Sequence, residues 1–205
     1  MDAKGEAHHY LVRAREALLW KLDGLGEYDL RRPLVPTGTN LLGLVKHLAC
    51  TEVGYFGTSF GRQLDGFPYG WGEDDDPNAD LYATPDESSA DIIGWYRRAC
   101  EHSDVTIAAE DADAIGTVAW WPADANRVSL HLLIAHMVAE TSRHLGHADI
   151  VRELIDGAVG LRPEVSNLPE GDAAWWKAHH DKVERLAREA SGDRGATIVG
   201  GRSTG

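Results

Sequence analysis

Cysteine is scarce in this chain of 205 residues, occurring only as Cys50 and Cys100. Two widely separated cysteines cannot form the dense disulfide framework of small secreted domains. Both lie in apolar, helix-like stretches, so we interpret them as buried free thiols in a reducing compartment. A disulfide between them remains the alternative.

Positive charge is also in short supply, with 20 Lys and Arg against 33 Asp and Glu and a formal net charge of -13. Nucleic-acid backbones and anionic membranes repel such a chain, so neither is expected as a partner. No apolar run is long enough to span a membrane, and the N-terminal segment lacks the pattern of a signal peptide. We therefore expect a cytoplasmic protein.

Strand-like alternation and internal repeats are missing, whereas apolar residues recur at helical spacing. The spacing predicts five helices: Ala7–Gly26, Thr39–Leu64, Pro85–Ala109, Val128–Asp156 and Ala173–Ala190. Thr84, Pro85 and Glu87 form the start signal of the third helix, as N-cap, N1 and N3. We predict an all-α fold, an antiparallel four-helix bundle with long connections and an extra C-terminal helix. One domain is expected over residues 1–190, with a flexible tail over 191–205.

One connection, Asp65–Ala83, is unusually long and combines aromatic residues with an acidic run. Long connections in compact domains are commonly functional or disordered. The aromatic residues favour an ordered rim, so we expect this segment to lie over or beside one mouth of the bundle.

The most informative stretch is Ser129–Asp156, where polar residues interrupt an apolar helical stripe. His136, Glu140, His144 and His147 fall within one narrow sector at about 100° per residue. Polar groups on a buried face are costly unless something pairs with them.

A divalent metal ion would satisfy two imidazoles and a carboxylate together. Glu140 and His144 project side by side at i and i+4. A third ligand must come from a neighbouring helix, and His47 is the one histidine of the second helix. The alternative is a buried hydrogen-bonded network of His136, Glu140 and His144 without a metal.

Two motifs resemble those of a known family. LLGLVKHLACTEVGYFGTSFG places a histidine early in the second helix, and ETSRHLGH places a ligand four residues before a histidine. The pattern, over Ala7–Gly160, is similar to the DinB/YfiT-like superfamily of metal-binding four-helix-bundle proteins. Within it, the chain resembles the actinobacterial branch that is similar to mycothiol-dependent maleylpyruvate isomerase. Many members have three histidines followed by Arg-Gly-Gln; here Glu140 replaces one histidine and Leu145-Gly146-His147 replaces the tripeptide.

The resemblance implies that His47, Glu140 and His144 bind one divalent metal. Zinc is the expected ion, although such ligands also accept nickel, iron or manganese. Two competing ligand sets remain, His47/His136/Glu140 and His47/His144/His147.

The resemblance further implies a metal-dependent thiol S-transferase or isomerase. A low-molecular-weight thiol, with mycothiol as the expected one, would attack an electrophilic small molecule, since coordination to a dication generates the nucleophilic thiolate. Two alternatives are a hydrolase that uses metal-bound water and a non-enzymatic stress protein that binds metal or a small ligand. The resemblance also implies a homodimer.

Other residues receive roles by their position near these ligands. His136 and His147 suit outer-shell or proton-transfer roles, one turn to either side. Arg143 is the candidate for a catalytic or anion-binding contact to the cofactor or substrate. Trp71 and Trp121 are candidates for the wall of a cofactor cavity, with plugs at the bundle ends as the alternative.

Overall fold

The computed structural model describes residues 2–69 and 76–192. Its helices are α1 (Ala3–Trp20), α2 (Glu27–Arg31), α3 (Leu41–Glu52), α4 (Ser89–Ala109), α5 (Leu130–Asp156) and α6 (Ala173–Ser191). Two short strands, β1 (Ile115–Thr117) and β2 (Arg127–Ser129), lie between α4 and α5. The predicted helical class is therefore confirmed for the described residues.

Each of the five longer helices begins at a side-chain N-cap, whose oxygen accepts a hydrogen bond from a backbone N–H of the first turn. These caps are Asp2, Asn40, Ser88, Ser129 and Asp172. The beginnings of α3 and α6 agree with the sequence prediction to within a residue or two.

The start of α4 was predicted one turn too early. Thr84 N donates to Glu87 Oε2 at 2.7 Å, as a capping box requires, but this turn does not continue into the helix. Ser88 is the actual N-cap, accepting from Asp91 N at 3.0 Å. The Thr84–Glu87 motif therefore forms a separate turn before α4.

The second predicted helix, Thr39–Leu64, is not one α-helix. After α3 the chain widens into a π-helical turn, Val53–Gly57, and then tightens into a 3-10 turn, Thr58–Phe60. Gly61, at φ +68°, ends the element in the left-handed conformation that glycine adopts easily. Glycine also has a low helix propensity, so Gly54 and Gly57 weaken the regular helix here.

The first connection and the first helix also differ from the prediction. α1 ends at Trp20, not at Gly26, and the short α2 lies between the first two predicted helices, where no helix was predicted. Arg15 and Lys21 are charged, but only 4% and 2% of their surfaces are exposed. Arg15 pairs with Glu52 and Lys21 pairs with Asp149, so each buried charge has a carboxylate partner on another helix.

The expectation of no strands was wrong. β1 and β2 pair antiparallel within the connection before α5, with Gly116 opposite Val128. A Cβ at Gly116 would lie 3.0 Å from the Phe60 ring, so this glycine allows the hairpin to pack closely against the 3-10 turn. Strands of three residues are too short to produce a readable alternation.

The described residues divide into two compact units, with the boundary between residues 166 and 167. In the first unit, α1 contacts α5, and α3 contacts both α4 and α5. Two apolar clusters fill it. One contains Leu18, Leu48 and Tyr96, and the other contains Leu11, Phe56 and Met137.

In the second unit, α6 is amphipathic, and i, i+4 ion pairs such as Lys177–Asp181 lie along it. The single domain over residues 1–190 stays a prediction. Most of the predicted tail, residues 193–205, lies outside the described residues. Across the described ranges, no helix has both the length and the hydrophobicity needed to span a bilayer.

Candidate metal centre

Three of the side chains singled out from the sequence converge at one point. His47 Nε2 lies 3.4 Å from Glu140 Oε1, and His144 Nε2 lies 3.0 Å from the same oxygen. The imidazole rings of His47 and His144 are edge to face, with centroids 4.9 Å apart. One donor atom from each of the three residues lies within 4.8 Å of the others.

α5 positions two members of the group at a break in the core. The buried residues of α5 up to Met137 belong to one apolar cluster, and those from Ala148 onward belong to the other. Glu140 and His144 fall between them and are half-buried, next to the buried Thr141. Their i, i+4 spacing places the two side chains on one face of the helix.

α3 provides the third member, and a residue from the long connection fixes its ring. Asp80 Oδ2 lies 2.7 Å from His47 Nδ1, and only 13% of the Asp80 side chain is exposed. A carboxylate only accepts hydrogen bonds, so Nδ1 of His47 must donate. In the neutral imidazole, Nε2 then keeps its lone pair on the side that faces Glu140.

The charges of the group depend strongly on one another. Burial alone would lower the pKa of His47, but the hydrogen bond and charge of Asp80, with help from Glu140, raise it above the ordinary value. Burial opposes ionisation of Glu140, yet the neighbouring His144 and His47 lower the pKa of that carboxyl. Burial and the nearby His47 lower the pKa of His144. The group therefore favours one added positive charge and disfavours protonation of both imidazoles.

The donor set fits a small divalent metal. Ligand bonds of about 2.1 Å at tetrahedral angles separate neighbouring donor atoms by about 3.4 Å. The two measured separations from Glu140 Oε1, 3.4 and 3.0 Å, are close to that value. A metal-binding histidine commonly donates its other ring N–H to a carboxylate, as His47 does to Asp80. The Nδ1 atom of His144 is buried and has no hydrogen-bond partner among the described residues.

A cavity of about 560 Å³ lies beside this group, and His144 and His147 form part of its wall. Hydrogen-bonding side chains are frequent in the rest of the lining, among them Thr39, Asn40 and Asn78. Residues 78–82 of the Asp65–Ala83 connection therefore border the candidate site, and the position of the connection at one mouth of a bundle stays a prediction.

The structure places the remaining predicted residues in three different surroundings. His147 is exposed at the cavity, with its ring 5.4 Å from that of His144. Arg143 is exposed and is not part of the cavity lining. His136 and Trp121 contact each other, with ring centroids 5.3 Å apart.

The aromatic group around His136 also includes Tyr55, and the centroids of the Tyr55 and His136 rings are 4.8 Å apart. The prediction for Trp71 lies outside the described residues. Among the described residues, donor atoms converge for His47, Glu140 and His144, and for neither competing ligand set.

Sequence reasoning missed Asp80. It lies 33 positions from His47, in a connection without periodicity, and no spacing rule relates the two.

Fold and site together define a mainly helical protein in which two imidazoles and one carboxylate form a candidate metal centre. Residues 6–157 match the family model described as mycothiol-S-transferase, so the chain belongs to that family. The match runs from within α1 to the end of α5 and includes all three convergent residues. A comparison with curated proteins found no match.

Proposed function

We propose that this protein is a metal-dependent S-transferase that joins a low-molecular-weight thiol, with mycothiol as the expected cosubstrate, to an electrophilic small molecule. The observation that carries the proposal is the convergence of His47, Glu140 and His144 in a chain of the mycothiol-S-transferase family. Zinc is the expected ion, and nickel, iron and manganese are chemically acceptable to the same ligands.

A divalent ion held there would lower the pKa of a coordinated thiol and keep it as the nucleophilic thiolate. The protein's own thiols are poor substitutes. Burial raises the pKa of the Cys50 thiol to about 12 and raises that of Cys100 well above its usual value. Both are free cysteines and stay protonated at neutral pH, so the reacting sulfur has to come from a cosubstrate.

The adjacent cavity has room for a small cosubstrate, with a volume of about 560 Å³. Its wall is largely apolar and includes the hydroxyls of Thr37 and Thr39 and the amide of Asn78, which can bind polar groups of the thiol. His144 belongs to both the ligand group and the cavity wall, so a thiol in the cavity would have its sulfur near the ligands.

In the proposed reaction the sulfur forms a bond to the electrophilic carbon, and the leaving group departs with its electron pair. The thiol proton passes to His147, the exposed imidazole at the cavity, or to water. His136 is the second candidate for an outer-shell role and packs in the aromatic group with Trp121. Arg143 is proposed to contact an anionic group of a substrate from the protein surface.

Three broader predictions belong to the same proposal. α1, α3, α4 and α5 would form the antiparallel four-helix bundle expected of the family. The protein would be cytoplasmic, and it would form a homodimer.

The test is a thiol-transfer assay on zinc-loaded protein with mycothiol and either a bimane or a dinitrophenyl halide. We expect a rate above that of thiol and electrophile alone, and loss of that excess in Glu140→Ala. Arg188→Ala, which changes an exposed residue of α6, is the matched control and should keep the rate. No excess rate with several thiols and metals would contradict the proposal, and thiol-independent turnover of esters would favour the hydrolase alternative.

A further inference from the structure

Residues 78–82 of the long connection dock on one face of α3. Asn40 Nδ2 donates to Leu81 O at 3.1 Å, and Lys46 Nζ donates to Tyr82 O at 3.1 Å. His47 Nδ1 donates to Asp80 Oδ2 at 2.7 Å. Positions 40, 43 and 47 follow the i, i+3, i+7 spacing of a single helix face. Consecutive residues of the connection are therefore held by successive turns of one helix.

Gly43 makes this close approach possible. A Cβ at this position would lie 1.8 Å from the carbonyl oxygen of Leu81, which no side chain can tolerate. Glycine within a helix costs about 1 kcal/mol relative to alanine, so its presence in the first turn of α3 needs a packing reason. The backbone of the connection supplies that reason.

The docked segment also has a tight internal structure. Leu81 N donates to Asn78 O at 2.8 Å, and Tyr82 Oη donates to Asp76 Oδ2 at 2.8 Å. These bonds, together with the contacts to α3, determine where the Asp80 carboxylate lies. The position of Asp80 is thus set by backbone packing several residues from the candidate ligands.

The same segment borders the cavity. Asn78, Leu81 and Tyr82 belong to its lining, while Asp80, between them, contacts His47. One short stretch of chain therefore touches both a candidate metal ligand and the space proposed for the thiol.

We propose that Asp80 is a positioning residue of the candidate metal centre, and that Gly43 leaves the space on α3 in which residues 78–82 dock and hold Asp80 in place. This inference rests on metal binding in the proposed function. Asp80 accepts the Nδ1 proton of His47 and so keeps the Nε2 lone pair directed towards Glu140. Docking of residues 78–82 on α3 then determines both the orientation of His47 and the shape of one cavity wall. Metal affinity then depends on a glycine that is not itself a ligand.

The experiment measures Co²⁺ and Zn²⁺ binding by competition with a chelating dye, together with the visible absorption spectrum of the Co²⁺ form. Asp80→Ala is expected to weaken both affinities by about 10–100-fold, as removal of a ligand's hydrogen-bond partner does, and to change the Co²⁺ spectrum. Asp80→Asn should fall between Asp80→Ala and the unchanged protein, because its amide oxygen can still accept the Nδ1 proton. Asp86→Asn removes an equal charge from an exposed position of the turn that follows this connection and should change neither readout.

Gly43→Ala tests the docking of residues 78–82 on α3 separately, since Asp80 is still present in that variant. We expect weaker Co²⁺ binding and an altered spectrum, with thermal unfolding of the metal-free protein measured alongside to check folding. If Gly43→Ala does not fold, the Asp80 variants still decide the matter. Unchanged affinity and an unchanged spectrum in Asp80→Ala would overturn the inference while leaving the proposed function standing. An unchanged protein that binds neither ion would instead contradict the proposed function.

Discussion

Two clusters of ionisable side chains join the helices of the first unit, and their groups are satisfied in different ways. In one, Arg15 of α1 donates two hydrogen bonds of 2.6 Å to the carboxylate of Glu52 and one of 2.7 Å to Asp104. In the other, His47 and His144 approach the same oxygen of Glu140. The first cluster matches every guanidinium nitrogen with a carboxylate oxygen, whereas the second directs several electron-pair donors at one point.

This difference separates a structural ion pair from a candidate site. Burial opposes the charge of Arg15, but the Glu52 carboxylate raises the pKa of the guanidinium, so the pair is stable as it stands. In the second cluster both imidazoles approach one carboxylate oxygen, so a cation bound by all three side chains would satisfy them together. Burial and charge occur in both clusters, so neither property alone identifies a functional centre.

The largest expected effect comes from breaking the first cluster. Glu52→Ala leaves the guanidinium of Arg15 buried without its main partner, which costs about 3–5 kcal/mol. Urea denaturation followed by circular dichroism measures the free energy of unfolding. Glu184→Ala removes an exposed partner of Arg188 and serves as the control, with little expected change. A Glu52→Ala protein as stable as this control would contradict the structural role.

The second cluster should contribute little to the free energy of unfolding until a metal is bound. Without metal, Glu140→Ala is expected to change the free energy of unfolding by less than about 1 kcal/mol, because the carboxylate is partly exposed and its pairing is weak. At a free zinc concentration 100 times the dissociation constant, the unchanged protein should gain about 2.7 kcal/mol. Glu140→Ala should lose that gain when thermal unfolding is compared with and without zinc. An equal zinc effect in both proteins would show that the metal binds elsewhere.

How far the sequence predicts each cluster follows from its geometry. Glu140 and His144 lie on one helix, so their spacing alone brings them together, and His47 was identified as the one histidine of its helix. Glu52 was not singled out, since its partner lies on another helix and no local pattern relates the two. Asp80 and Gly43 depend on a connection whose path no periodicity predicts, and the short β1–β2 hairpin was missed for the same reason. Local periodicity thus predicted the helices, while contacts between distant segments required the structure.

Histidines outside the convergent group should matter less for zinc binding. His136→Ala and His147→Ala are each expected to weaken zinc affinity by no more than about 10–100-fold, the effect of an outer-shell group. His136 packs in the aromatic group with Trp121, so its removal should affect stability more than affinity. A competition titration with a chelating dye measures the affinity, and a complete loss in either variant would revive the corresponding competing ligand set.

The smallest effect concerns the acid sensitivity of the first cluster. Burial raises the pKa of Asp104, but the hydrogen bond from His8 and the charge of Arg15 outweigh it and lower that pKa. Because the folded-state pKa is lowered, the stabilisation is fully present above the ordinary carboxyl value of about 3.9 and is lost as the pH falls through the folded-state value. The stability difference between the unchanged protein and Asp104→Asn should therefore shrink below about pH 4. A difference independent of pH would show that Asp104 contributes by packing alone.

The most direct test of the central claim is the stoichiometry and affinity of zinc binding in the unchanged protein and three single variants. We predict one zinc ion per chain, and loss of most binding in each of His47→Ala, Glu140→Ala and His144→Ala. Elemental analysis of protein purified without chelator or nickel resin would identify the ion bound in the cell. Full zinc retention by Glu140→Ala, with loss in His136→Ala or His147→Ala, would show that the metal centre has been assigned to the wrong residues.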